Sequence, residues 1–253
     1  MPTISIANQK GGVSKTTTTQ ALATLLNKRN KKALCIDLDP QANLSFAMGA
    51  KLEDTKTVYD MLKGKTTAMD VIQNTKSGDV LPSNILLSVA DMEFTAQGRE
   101  YLLKEAINDL IRQYEYILID CPPALSILTI NAFTASDFVI IPSLADVFSL
   151  QGMAQLHDTI SGVKKYSNPH LSVAGILLTR FNERLNLSGH MQGTLNEVSR
   201  NMDTVLFKTY IRNSVALQES QFQQEDIFNY DMKSKAMADY AQFLDELEVL
   251  TNG

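Results

Sequence analysis

The segment Tyr116-Ile117-Leu118-Ile119-Asp120 is apolar at successive positions, without the alternation of a strand that has one face in water. Such a strand must be covered on both faces, as in a parallel sheet held between two layers of helices. Comparable runs recur at Thr3 to Ala7, Ala33 to Asp37, Phe138 to Pro142 and Val173 to Thr179, with amphipathic stretches between them. Strands alternating with helices imply crossovers and an α/β fold: a mostly parallel twisted sheet flanked by helices on both faces. With 253 residues, 44% of them hydrophobic and 20% charged, the chain is long enough to bury one such core. One domain over residues 1–253 is expected.

Helical spacing supports that reading. Ala21, Leu22, Leu25 and Leu26 mark one face of a helix that begins near Lys15 and ends near Asn30. A second helix is predicted at about Glu100 to Arg112, with Leu103, Ile107, Leu110 and Ile111 inward, and a third from Ser149 to Lys165. The last, about Met232 to Leu250, carries Met237, Tyr240, Phe243, Leu244 and Leu247 on one side. No apolar run approaches the roughly 18 to 20 residues that cross a bilayer, and no signal-like segment opens the chain. A cytoplasmic protein is expected. Cys35 and Cys121 adjoin strand-like runs without CxxC or Cys/His spacing, which predicts buried thiols, not a disulfide or metal site. A formal net charge of −5 excludes a chain that is basic everywhere and leaves room for a local basic patch.

The strongest chemical signal lies between the first strand and the first helix: Lys10-Gly11-Gly12-Val13-Ser14-Lys15-Thr16-Thr17. Glycines admit the backbone close to phosphate oxygens, and the helix N-terminus points N–H groups and partial positive charge at them. Lys15 can then neutralise the β and γ phosphates, and Thr16 can offer a hydroxyl to Mg²⁺. A plain glycine-rich turn with exposed lysines is the alternative; the strand before and the helix after weigh against it. The second strand ends in Asp37-Leu38-Asp39-Pro40, at the sheet edge where open α/β folds bind ligands. Two acids there can divide metal support from water positioning, although alone such a pair is as often a turn or helix cap. The strand of the opening segment delivers Asp120, followed by Cys121-Pro122-Pro123, as a further carboxylate for Mg²⁺.

Gln9 and Ser14 occupy the two glycine positions of the general G-x-x-x-x-G-K-[ST] pattern. A lysine directly before Gly11-Gly12, with a second lysine five positions later, resembles the deviant Walker A loop of the ParA and MinD ATPases, a branch of the P-loop NTPases. The resemblance continues through Asn8-Gln9, Pro142, Ser149-Leu150-Gln151-Gly152, Leu178-Thr179-Arg180-Phe181-Asn182 and Ile211-Arg212-Asn213. It implies ATP and Mg²⁺ as ligands, held by Lys10, Gly11, Gly12, Val13, Ser14, Lys15, Thr16 and Thr17, with Ile211, Arg212 and Asn213 at the adenine. It further implies Asp39 as the residue that orients the attacking water and Thr16, Asp37 and Asp120 around the metal. Lys10, which has no evident role within its own chain, would reach the nucleotide of a second copy in an ATP-dependent homodimer. Catalysis would then rest on Lys10, Lys15 and Asp39. Ser14 departs from the family's glycine, and a non-glycine residue at positive φ costs about 1 kcal/mol.

By the same resemblance the function is partition of plasmid or chromosomal DNA: slow ATP hydrolysis stimulated by a ParB-like centromere-binding protein, with the ATP dimer on nonspecific double-stranded DNA and so on the nucleoid. The DNA-facing residues would be among Arg180, Arg184, Arg200, Lys208, Arg212, Lys233 and Lys235. Glu183, Glu197, Asp203, Glu219, Glu225, Asp226 and Asp231 match them in number, and Gln223-Gln224-Glu225-Asp226 stands where the resembling proteins tend to carry Gly-Lys. Two other classes are the alternatives. A MinD-like positioning ATPase would need a basic amphipathic end for lipid, whereas Asp245-Glu246-Leu247-Glu248 is acidic. An ATP-dependent metabolic enzyme on the same fold would need its own substrate pocket, and a reductase would need cysteines at an interface. The first strand begins at Thr3, so no separate N-terminal DNA-reading domain is expected.

Overall fold

The computed structural model describes residues 1–146, 152–182, 186–225, 227–231 and 233–251, without the side chains of 186–191 and 228–229. Its strands are β1 (Thr3–Ile6), β2 (Ala33–Asp37), β3 (Gln73–Thr75), β4 (Gly78–Leu81), β5 (Tyr116–Asp120), β6 (Phe138–Ser143) and β7 (Ser172–Leu178). They form one sheet in the order β3-β4-β2-β5-β1-β6-β7. Every neighbouring pair is parallel except β3 and β4. The helices, in chain order, are α1 (Lys15–Lys28), α2 (Asn43–Ala47), α3 (Val58–Leu62), α4 (Ala68–Val71), α5 (Ala90–Glu93), α6 (Leu102–Ala106), α7 (Ile127–Ala135), α8 (Met153–Tyr166), α9 (Asn186–Asn201), α10 (Val215–Phe222), α11 (Ile227–Tyr230) and α12 (Lys235–Thr251).

Apolarity on both sides of the central strands has the expected consequence. On one face, Ile4, Ile6, Cys35 and Leu118 pack with Leu22, Leu25 and Leu26 of α1 and with Tyr240, Phe243, Leu244 and Leu247 of α12. On the other, Leu34, Ile36, Ile117 and Ile119 join Leu103 of α6, Phe133 of α7 and Leu156 and Ile160 of α8. The register of β2 on β5 places Asp37 opposite Asp120, so two carboxylates from different strands meet at the C-terminal edge of the sheet. No helix among the described residues is long and apolar enough to cross a membrane.

Two local expectations are corrected. The helix predicted from Glu100 to Arg112 is broken into a 3₁₀ turn at Arg99–Tyr101, α6, and a second 3₁₀ turn at Asn108–Leu110. A 3₁₀ turn has three residues per turn, which stacks Leu110 on Ile107 and keeps both buried while Ile111 rotates out to 42% exposure. The last helix begins at Lys235, with Met232 outside the described residues, and the third begins at Met153, with Ser149, Leu150 and Gln151 outside them. The hairpin β3–β4 was not predicted, because Gln73-Asn74-Thr75 is a polar edge strand with no apolar alternation to mark it.

At the opposite edge, residues 205–212 run beside β7. Ile176 N–H donates to the Val205 carbonyl, Phe207 N–H to Ile176, and Ile211 N–H to Leu178. Phe207 lies flat against Gly175, where a Cβ atom would collide with its ring, so a residue without a side chain is required there.

Candidate functional site

The loop after β1 is anchored before it turns. Buried Asn8 donates its amide to the Pro142 carbonyl at 2.7 Å and accepts Lys10 N–H at 3.0 Å, which ties the loop entrance to the end of β6. Gly12 has φ 75°, and Ser14 caps α1 at φ 66°, ψ 29°. That is the left-handed conformation anticipated for position 14, and the Cβ of a serine there costs about 1 kcal/mol. Thr179 donates its hydroxyl to the Val13 carbonyl at 3.1 Å, and α1 then starts with Thr18 N–H on the Ser14 carbonyl at 2.8 Å.

Lys15, the first residue of α1, is buried with Nζ 3.2 Å from the Lys10 carbonyl. Burial holds its ammonium below the usual lysine range, against the opposing pull of Asp120 and Asp39. Thr16 donates its hydroxyl to Asp120 Oδ2 at 2.6 Å. Burial and the nearby Asp37 push the Asp120 carboxyl well above the ordinary range, and its other oxygen, Oδ1, is buried with no hydrogen-bond partner. A buried carboxylate oxygen without a donor, beside a threonine hydroxyl, fits a hard cation that takes oxygen ligands.

Asp37 sits differently. Its Oδ2 accepts Ser45 N–H at 2.8 Å and the Ser45 hydroxyl at 2.7 Å, while Oδ1 accepts Asp39 N–H at 3.0 Å. Burial raises its carboxyl to about 6 even though those hydrogen bonds oppose the shift. It shapes the turn that carries Asp39, whose own carbonyl is held by Ser83 at 2.6 Å. Asp39 lies on the wall of the cleft.

That cleft has a volume of about 540 Å³. Its lining joins Gly11, Gly12, Ser14, Lys15, Thr16 and Thr17 to Asp39 and, from nearly two hundred residues later, Ile211, Arg212 and Asn213. Most of the sequence-predicted loop, Asp39 and the predicted adenine segment therefore share one cavity, from whose lining the buried Val13 is absent. Lys10 is absent from the lining; its Nζ is 2.5 Å from Asp146 Oδ2, an intramolecular contact that the sequence reading did not anticipate. Arg212 also has a partner: its Nε and Nη2 each lie 2.7 Å from the carboxylate of Asp239.

Of the other basic residues predicted to face DNA, Arg180, Arg200, Lys208, Lys233 and Lys235 are exposed, Arg180 on the cleft wall with φ 51°, and Arg184 lies outside the described residues. Cys35 and Cys121 are free and buried, and burial raises both thiols. Sequence reasoning missed Ser45 and Ser83, which hold the Asp37–Asp39 turn, and the wall formed by Phe46, Gln218, Gln221 and Phe222. Nothing in their local pattern marks them.

Comparison with known proteins agrees with this geometry. The family model described as AAA domain matches residues 1–173. The sporulation initiation inhibitor protein Soj of Bacillus subtilis is 38% identical over 99% of this chain and 98% of its own length. The chromosome partitioning protein ParA of Myxococcus xanthus is 37% identical over 94% of this chain and 84% of its own. Among solved structures, cobyrinic acid a,c-diamide synthase from Mycobacterium smegmatis with bound ADP and magnesium is similar at a TM-score of 0.86 and 30% identity, over 100% of this chain and 97% of that one.

Proposed function

We propose that this chain, which belongs to the ParA/Soj family of P-loop partition ATPases, is an ATP-driven dimerising switch that carries DNA partition. The observation that carries this reading is the division of labour between two lysines of one loop. Lys15 is buried in the cleft wall at the start of α1, whereas Lys10 projects out of the cleft to Asp146. A second loop lysine directed away from its own cleft is explained if its charge meets the nucleotide of another copy.

The chain's own groups suit phosphoryl transfer. The N–H groups of Gly11 to Thr17 and the α1 N-terminus cradle the phosphates, and Lys15 neutralises the terminal ones in a dry setting where charge is effective. Thr16 and Asp120, with Asp37 fixing the neighbouring strand end, would hold Mg²⁺. A metal bound there would supply charge neutralisation to the terminal phosphates. Asp39, on the cleft lining, would accept a hydrogen bond from the attacking water and orient it for attack on the terminal phosphate. Of the two arginines on the cleft lining, Arg212 is held by Asp239, and hydrolysis is slow until a ParB-like centromere-binding protein engages the dimer. The dimer binds duplex DNA weakly and without regard to sequence, because Arg212 is held by Asp239 and acids match bases in number along the later part of the chain.

The test is sedimentation with ATP and with ADP, in the presence and absence of DNA across a salt series. ATP should give a dimer and ADP a monomer, and Lys10→Ala should remove the dimer while leaving monomeric nucleotide binding. An undiminished ATP dimer in that variant, or equal DNA affinity in both nucleotide states, would overturn the reading. An ATP-dependent synthetase is the second reading, favoured by the likeness to the diamide synthase. Turnover that requires an added carboxylic acid and ignores DNA and the centromere-binding protein would select it.

A further inference from the structure

We propose that Phe46 and Phe222 form an aromatic seat for the nucleobase, making their part of the cleft a stacking site. This rests on the reading of the cleft as the nucleotide site. Phe94, Phe133, Phe181, Phe207 and Phe243 are buried, whereas Phe46 is 41% exposed and Phe222 is 80% exposed. Both exposed rings line the same cleft as the phosphate loop. They come from α2 and α10, which pack against one another. Large apolar groups left in water on the wall of a cavity mark a place that something apolar covers.

The groups that share the cleft say what that is. The amides of the loop and Lys15 define the phosphate end. Thr17, in the first turn of α1, donates its hydroxyl to Gln221 Oε1 at 3.4 Å, and Gln221 donates to Gln20 Oε1 at 2.9 Å. These bonds dock α10 against α1 just after the phosphate loop, and Phe222 is the next residue on the same helix. A nucleotide anchored by its phosphates at the loop leaves its sugar and base to the rest of the cleft. The base meets a planar apolar surface for its face and the side chains of Asn213 and Gln218, also on the lining, for its edge. An amide offers one donor and one acceptor direction, which suits the Watson–Crick edge of adenine. Stacking on an aromatic ring tolerates any base, so the rings set affinity and the amides set the choice.

The experiment compares binding of ATP, ADP and inorganic tripolyphosphate, each with magnesium, to the wild type, Phe46→Ala, Phe222→Ala and Phe222→Trp by calorimetry and competition. Each alanine variant should weaken ATP and ADP on the order of tenfold, leave tripolyphosphate unchanged, and Phe222→Trp should restore the affinity. Unchanged ATP affinity in both alanine variants overturns the proposal, as does equal weakening of ATP and tripolyphosphate, which would mean a damaged fold. A loss of dimer with unaltered ADP affinity would assign the rings to a contact with a second copy and also overturn it. Failure of the wild type to bind any of the three ligands would instead remove the nucleotide reading itself.

Discussion

The two ends of the cleft are built on opposite principles. At the phosphate end the polar groups sit on strand ends and the first turn of α1, are buried, and are each held by a neighbour: Asp37 by Ser45, Asp120 by Thr16, Asn8 by Pro142. At the other end a loop and the short α10 carry exposed side chains, with Phe222 almost wholly in solvent. The first end is prepared for charge before any ligand arrives, which is where electrostatic stabilisation is most effective. The second end can adjust around a ligand and tolerates substitution. A change at the phosphate end should therefore alter whether the site works, and a change at the base end only how tightly it holds.

The largest effect is expected at Lys15. Lys15→Ala should reduce ATP affinity on the order of a hundredfold or more, because a buried charge-assisted contact leaves phosphate charge unpaired. Titration calorimetry that found a loss comparable to that of the base-end variants would erase the distinction between the two ends. Asp39→Ala should sharpen it from within the phosphate end. There, ATP binding should stay within about threefold while single-turnover phosphate release slows on the order of a hundredfold, the scale of losing a positioned base. The ATP dimer should then accumulate, and wild-type turnover would remove Asp39 from the mechanism. The smallest effect concerns the backbone alone. Ser14→Gly relieves a left-handed serine worth about 1 kcal/mol and should raise the thermal midpoint by about 2 to 4 °C in a chain of this size. A midpoint unchanged or lowered in a calorimetric scan would show that Ser14 contributes contacts that offset its strain.

How far the sequence could be read follows from where the information sits. Ile117, Leu118 and Ile119 declare a doubly covered strand by themselves, and the Lys10 to Thr17 loop declares its strand and helix, because both signals are local and periodic. The joining of that loop to Ile211, Arg212 and Asn213 in one cavity was legible only through the family resemblance, since no periodicity links residues two hundred apart. The broken helix between Arg99 and Leu110 was not legible, because Leu103, Ile107 and Leu110 fit an α-helical face and a partly 3₁₀ path equally well. The Lys10 to Asp146 contact was hidden for a related reason. A lysine on a loop carries no sign of its partner, and the acid it meets is 136 positions away.

The sheet margins bear on assembly. One ends in the three-residue polar strand β3, and the other is shadowed by residues 205–212, which take up hydrogen-bonding groups of β7 and are pinned by Phe207 over Gly175. A long open edge would offer any second copy a ready line of backbone donors and acceptors, at any time and in any register. With the short edge polar and the long edge occupied, lateral strand addition is discouraged. Association is left to side-chain surfaces, which a bound ligand can remodel.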